Sequence, residues 1–347
     1  MSDIAEKKKP KVRSLGEIKS TLGPKPVPML GEWFYEANQT MLYAPTGIGK
    51  SFVAMSMALV IAGGGTLMGW KADRPRKVLY VDGEMDLHEL VERAEMLADG
   101  IEGIDKGLAF ENLQMLAFRD QEPGSWFIDL DEERSREFIE KEARRGRFDL
   151  VILDNFSTLV SVLDENAASS MDTTIDLMRN LQRARCAVML VHHARKTNGG
   201  DGSYRGSSKL SVTFNNIIRL DAPKERPLDG SAAFTIVWEK VRSKRTDEVA
   251  ERKVQLVEGR WEHEQAIKPE VREYVNAVKS RKYATDKEIA KALKISPASV
   301  SRRRNEAVDV GLVNREKIKE LFADAREDRK GFADDDVGED DWDAGDF

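Results

Sequence analysis

The sequence predicts an α/β fold with a mostly parallel sheet covered by helices on both faces, then a small helical domain and an acidic tail. Three observations carry this. Short β-rich apolar runs at 41–43, 78–81, 113–118, 150–153 and 187–191 alternate with helical stretches at 51–61, 87–97, 133–145 and 171–185. Near-continuous apolar strands separated by helices are those of a parallel sheet buried on both sides. After Pro269 the pattern changes to consecutive helical segments, and the last 17 residues hold eight carboxylates and no base.

Taken in order, residues 1–28 read as a basic flexible arm, with Lys7-Lys8-Lys9-Pro10-Lys11 followed by Gly23-Pro24-Lys25-Pro26. Residues 29–266 form the α/β core. Its late strands at 217–220, 233–241 and 253–257 have no long helices between them and suggest an antiparallel extension at one edge. Residues 267–322 read as a helix-turn-helix. Thr285-Asp286-Lys287-Glu288 has the form of a capping box, Ser296-Pro297 is an N-cap with proline at the first helical position, and Gly311-Leu312-Val313 leads into a possible wing. Residues 323–347 are read as a linker and an acidic disordered tail ending in Phe347.

Charge and cysteine usage narrow the function classes. The net charge of −6 hides a basic excess on both flanks of the core: 268–330 holds 17 Lys/Arg against 11 Asp/Glu. Basic segments point toward nucleic acid, with solvated surface charge as the other reading. The single cysteine, Cys186, excludes a disulfide framework and, with only four histidines, argues against a zinc cluster. The first 13 residues are charged and no run approaches the roughly 18 to 20 apolar residues that span a bilayer, so a cytosolic protein without membrane association is expected.

The chemistry starts at Ala44-Pro45-Thr46-Gly47-Ile48-Gly49-Lys50-Ser51, between an apolar strand and a helix that opens with Phe52. Its glycines let several backbone N–H groups converge on one anion, Lys50 reaches the β- and γ-phosphates, and Ser51 can hold Mg²⁺. Residues 45–52 are thus the expected ATP-binding segment. Ala44 stands where the strict motif has glycine, which the first position tolerates because the tightest curvature falls at Gly47 and Gly49. Hydrolysis also needs a metal anchor, a group that orients water and a sensor of the γ-phosphate. Asp154 ends the strand Leu150-Val151-Ile152-Leu153 and is placed beside Mg²⁺ with Ser51. Glu84 follows the strand Val78-Leu79-Tyr80-Val81 and is the candidate that polarises water, with Asp82 as its rival. His192 and His193 end the strand 188–191 and read as a sensor or as a structural pair.

The series APTGIGKS, VLYVDGEM, LVILDN, LVHHARK and Arg205-Gly206-Ser207-Ser208-Lys209-Leu210, running on to Ile217-Ile218-Arg219-Leu220, resembles the RepA-type hexameric DNA helicases of plasmids and phages, within the RecA/DnaB-like P-loop ATPases. The resemblance covers about 29–262 and implies a RecA-like core. It implies that Glu84 is the catalytic glutamate, Asp154 the Walker B residue and His192 or His193 the sensor. Such helicases form rings in which a basic finger enters the site from the neighbour. Val237-Trp238-Glu239-Lys240-Val241-Arg242 resembles their Lys-x-Arg finger, giving Arg242 with Lys240, and Arg205 and Arg245 as rivals. A planar guanidinium suits the charge developing on the γ-phosphoryl group.

The loop 195–205 would face the ring channel, where Arg195, Lys196 and Arg205 track single-stranded DNA and Tyr204 stacks on a base. Arg302-Arg303-Arg304 lie on the presumed recognition helix, where three consecutive side chains spread around most of a turn and suit phosphate contacts better than a base code. The tail is similar to the acidic, Phe-ended tails of single-strand-binding proteins and of a phage primase-helicase, which implies docking of replication proteins. The expected function is an ATP-dependent, ring-forming helicase or translocase on single-stranded DNA, in a bacterial or phage-infected cell. A helicase loader or recombination mediator, and a nucleotide-switched DNA-binding regulator, are the alternatives.

Overall fold

The computed structural model describes residues 10–161, 167–193, 213–223, 225, 227, 231–243, 246–264, 269–309 and 312–334. The chain divides into two compact units: Met1–Val249 with Gln255–Glu262, and Ala250–Val254 with His263–Phe347.

The first unit is built on a sheet whose parallel strands are β3 (Gln39–Ala44), β6 (Val78–Asp82), β7 (Leu113–Ala117), β8 (Leu150–Asp154), β9 (Ala187–His193) and β10 (Asn216–Asp221). With β11 (Ala233–Val241), β12 (Arg252–Val257) and β13 (Arg260–Glu264) the order is β13-β12-β11-β10-β3-β9-β8-β6-β7. One detail corrects the expected edge. The strand at 217–220 belongs to the parallel set, in register with β3 through Ile217 opposite Met41, and antiparallel pairing begins only between β10 and β11. β9, the strand carrying the paired histidines, lies between β3 and β8, so the strand feeding the phosphate loop and the one ending in Asp154 are second neighbours.

Both faces are covered, and β3, β6 and β8 are buried throughout, with polar residues only at their ends. The alternation of a strand sends Met41, Tyr43, Leu79, Val81, Val151 and Leu153 to one face, where they meet Ile139 of α5 (Glu133–Gly146) and Ile175 and Met178 of α6 (Ala167–Arg183). Between the phosphate loop and the second strand runs α2 (Lys50–Gly63), all of it buried except Ser51 and Phe52. A helix apolar all round is a core helix, and it packs against α3 (Leu87–Gly100) and α4 (Lys106–Asn112). At one corner Trp33, Trp70 and Trp238 meet edge to face at 4.8 to 5.9 Å, fixing the turn formed by β1 (Pro28–Leu30) and β2 (Phe34–Tyr35) against the hairpin of β4 (Gly65–Leu67) and β5 (Trp70–Ala72).

The segment expected as a bare arm contains a helix, α1 (Leu15–Ser20), stabilised by a capping box in which Ser14 accepts from the Glu17 N–H while the Glu17 carboxylate accepts from the Ser14 N–H at 2.7 Å. It buries no residue, so local capping rather than packing holds it.

The second unit contains α7 (Pro269–Lys279), α8 (Asp286–Ala292), α9 (Pro297–Asp309) and α10 (Arg315–Asp334) around a core that includes Val271, Tyr274, Val278, Ile289, Val300, Ala307, Ile318 and Leu321. Thr285 caps α8 by accepting from the Glu288 N–H, but the Glu288 carboxylate reaches the Ala284 N–H at 3.0 Å and is clamped by Arg329 at 2.6 Å. The expected wing is replaced by helix: Val313 is buried, Asn314 caps α10 by accepting from the Lys317 N–H at 2.7 Å, and Ile318, Leu321 and Ala325 continue an apolar face. No strand occurs among the described residues of 269–334. Residues 323–334, expected as linker, continue α10, and Arg281–Asp324 and Arg329–Glu288 pairs fasten that helix to the unit. The acidic residues 335–347 lie outside the described residues.

Candidate active site

At the C-terminal edge of β3 the chain turns sharply into α2. Gly47 and Gly49 take φ of 79° and 110°, and a Cβ on Gly49 would stand 2.9 Å from that of Ala232, so this position requires glycine twice over. Ala44 is fully buried at the strand end. Thr46, Gly47, Gly49, Lys50, Ser51 and Phe52 line a cavity of about 680 Å³, while Pro45 contributes its carbonyl and Ile48 turns its side chain inward. The size is that of a small-molecule pocket. The Lys50 ammonium donates to the carbonyls of Ala44 at 3.1 Å and Pro45 at 3.0 Å, folded back on the loop it serves. Burial lowers it to about 8, against the pull of Asp154 and Glu84.

Asp154 and Asp82 end adjacent strands in register, yet their surroundings differ. Asp154 is buried and pushed up to about 6 by desolvation, while hydrogen bonds from Tyr80 at 2.5 Å and from Ser51 hold the charged form. A desolvated carboxylate bonded to the phosphate-loop serine is suited to a divalent cation, so Ser51 and Asp154 are the residues that would hold Mg²⁺ beside a nucleotide. Asp82 accepts the N–H groups of Glu84 at 3.1 Å and Met85 at 2.7 Å. That bonding makes Asp82 the brace of the turn after β6 and leaves Glu84 exposed at its tip, where the Asn155 amide donates to its carboxylate at 3.0 Å. Gly83 allows the close approach on which this contact depends, since a Cβ there would collide with the Thr158 hydroxyl, and its N–H donates to the Asp154 carbonyl at 2.9 Å.

The two histidines part company because neighbouring residues of a strand point to opposite faces. His193 faces the phosphate loop, with Nδ1 3.3 Å from the Thr46 hydroxyl, and burial and Lys50 lower its pKa. His192 is turned away from the cavity, buried edge-on against Phe156 at 5.1 Å. Tyr80, Asn155 and Arg93 were not singled out from the sequence. Asn155 adjoins Asp154 and Tyr80 lies inside a strand motif, so both carry a positional signal; Arg93, a lining residue whose guanidinium lies 4.0 Å over the Phe52 ring, carries none.

Lys240 and Arg242 sit at the other edge of the sheet. β11 runs antiparallel to β10, the Arg242 N–H donates to the Asn215 carbonyl at 3.0 Å, and Val241 lies opposite Asn216, itself opposite Thr40 at the start of β3. Four residues of strand, about 13 Å, separate that level from Ala44. Neither side chain lines the cavity of its own chain. The rival fingers Arg205 and Arg245, and the expected DNA-tracking residues Arg195, Lys196 and Tyr204, lie outside the described residues. On α9, Arg302 is exposed, whereas Arg303 pairs with Glu273 at 2.8 Å and Arg304 with Asp286 at 2.5 Å.

A family model described as an AAA domain matches residues 9–199. No curated protein matches the chain. Among solved structures it is similar to a KaiC-like protein from the hyperthermophilic archaeon Pyrococcus horikoshii OT3, at 13% identity over 66% of this chain and 91% of that one, with a TM-score of 0.46. It is also similar to the RadB recombinase, at 16% identity over 65% and 90% of the two chains, with a TM-score of 0.44.

Proposed function

The chain belongs to the AAA domain family, and from that premise we propose that it is an ATP-driven, ring-forming translocase that moves along and unwinds DNA. Nucleotide binding and ATP hydrolysis are the part shared with the family. The matched segment contains Lys50, Ser51, Glu84, Asp154 and His193, which converge on one cavity. Mg²⁺, when bound with ATP, supplies neutralisation of the phosphate charge. Lys50 leaves its two carbonyls for the phosphates. Glu84, aimed by Asn155, orients a water molecule and takes up its proton, and His193 reads the γ-phosphate through the Thr46 side of the loop.

One observation carries the ring. Among the described residues, the single arginine lining the cavity is Arg93, whose guanidinium is stacked over Phe52, while Lys240 and Arg242 are presented at the opposite sheet edge. A site that needs a guanidinium at the reacting end, and a strand that offers one away from its own site, are complementary surfaces of two copies. The loop 195–205 would then track single-stranded DNA through Arg195, Lys196, Tyr204 and Arg205, and Arg302 would add phosphate contacts from the helical unit.

Particle images with ATP and single-stranded DNA, together with a forked-duplex unwinding assay, test the reading. Rings and ATP-dependent strand separation, both lost in Lys50→Ala, are expected. Multimers that clamp DNA without separating strands would assign the site to a helicase loader or recombination mediator. Full ATP hydrolysis by a solitary subunit would overturn the shared-site reading.

A further inference from the structure

The helical unit carries a second concavity, about 460 Å³, that the nucleotide chemistry does not use. Its floor is apolar, formed by Val308 at the end of α9, Leu312 and Val313 in the connection, and Leu321 of α10. The charged side chains on its rim are both lysines, Lys279 and Lys317. Lys279 is exposed and has no ion-pair partner among the described residues. Lys317 pairs at 2.5 Å with Glu320 one turn along the same helix, an exposed contact that exchanges readily for another carboxylate. An apolar floor with a cationic rim fits an aromatic or aliphatic side chain flanked by acids.

The chain itself contains such a segment. Residues 335–347 hold seven carboxylates and no base, and Trp342 stands between Asp341 and Asp343. We infer that this acidic segment is an intramolecular ligand of the groove, with Trp342 on the Val308–Leu321 floor and Asp340, Asp341 and Asp343 against Lys279 and Lys317. The geometry allows it. From Asp334, where α10 ends, back to Leu321 is 13 helical residues, about 20 Å. The eight residues from Asp334 to Trp342 span at most about 26 Å when extended. The tail therefore reaches the groove by running back, nearly extended, along its own helix, and the tether makes the contact an intramolecular one. Docked there, it covers lysines that a nucleic-acid phosphate or a protein partner would otherwise meet.

The test uses the full chain with two introduced cysteines, Asn314→Cys beside the groove and Ala344→Cys near Trp342; the native Cys186 is buried and does not interfere. Under mild oxidation this pair should close within one chain much faster than a control pair of Lys287→Cys with Ala344→Cys. Added salt, the double change Lys279→Glu with Lys317→Glu, and Trp342→Ala should each remove most of the advantage. Trp342→Ala changes none of the core residues of the helical unit, so its effect is separable from a folding defect. Equal closure of the two pairs, closure indifferent to the lysines and Trp342, or closure chiefly between chains would each overturn the proposal.

Discussion

Asp82, Glu84, Asp154 and Asn155 share one strand edge and do different work because their hydrogen bonds differ. Asp82 is consumed by two backbone N–H groups, while Glu84 is held at its tip by a single amide. Glu84→Gln is therefore expected to bind ATP and lose about 10²- to 10⁴-fold in turnover. Asn155→Ala should lower kcat about 10- to 100-fold with KM little changed, because it disturbs only the aim of Glu84. Steady-state kinetics separates the two patterns. Protonation sets a further expectation. Lys50 titrates at about 8 and Asp154 at about 6, so MgATP affinity of the free protein should peak between these values, falling on the acid side as Asp154 takes a proton and on the alkaline side as Lys50 loses one. For stability the sign is opposite to that of a paired carboxylate. The folded chain keeps a proton on Asp154 between pH 3.8 and about 6 that the unfolded chain has released, so stability drops as pH rises through that window. Asp154→Asn should thus stabilise the nucleotide-free protein at pH 8 by on the order of 1–3 kcal/mol and by little at pH 4, as thermal unfolding at the two pH values would show.

Among the elements, the turn between β12 and β13 has a role that its sequence does not announce. Glu258 and Gly259 take φ of 47° and 79°, and the turn lines the cavity through Leu256, Glu258 and Gly259. It rests on α3 at Gly100, where an added Cβ would strike the Gly259 carbonyl. Gly100→Ala should push the turn off the helix and weaken ATP binding severalfold while leaving the binding of inorganic tripolyphosphate unchanged; equal loss for both ligands would show that the damage had reached the phosphate loop. α1 and α10 show how element boundaries escape a pattern-based reading. α1 has no buried face to give it a periodicity, and only the Ser14–Glu17 pair marks it. In α10 the charged stretch from Arg326 onward resembles a linker in composition, yet Arg329 is held by Glu288, 41 residues away in sequence.

At the scale of the whole molecule the site is half built. The phosphate loop and the residues proposed to hold the metal, orient water and sense the γ-phosphate come from one chain, and the proposed finger faces elsewhere. Mixing Arg242→Ala subunits, which keep an intact loop, with Lys50→Ala subunits, which keep an intact finger, should recover part of the hydrolysis that each lacks alone. Absence of recovery in rings verified as mixed would move the finger to Arg205 or Arg245. Among the described residues no helix is long and apolar enough to cross a membrane.

Most of the parallel core was legible because its signals are local: an apolar strand, a glycine-bearing turn and the residue that ends the strand occupy consecutive positions, so Lys50, Ser51 and Asp154 declare themselves. Tertiary structure separates the surroundings of rivals that lie side by side in the sequence. Asp82 against Glu84, and His192 against His193, depend on which side of a strand faces the cavity and which backbone groups lie within reach. Arg93 depends on a helix packing over Phe52, and the missing wing on whether Val313 and Ile318 find a core. A sequence records what each residue is able to do; the distances that select among those abilities come from contacts between segments far apart in the chain.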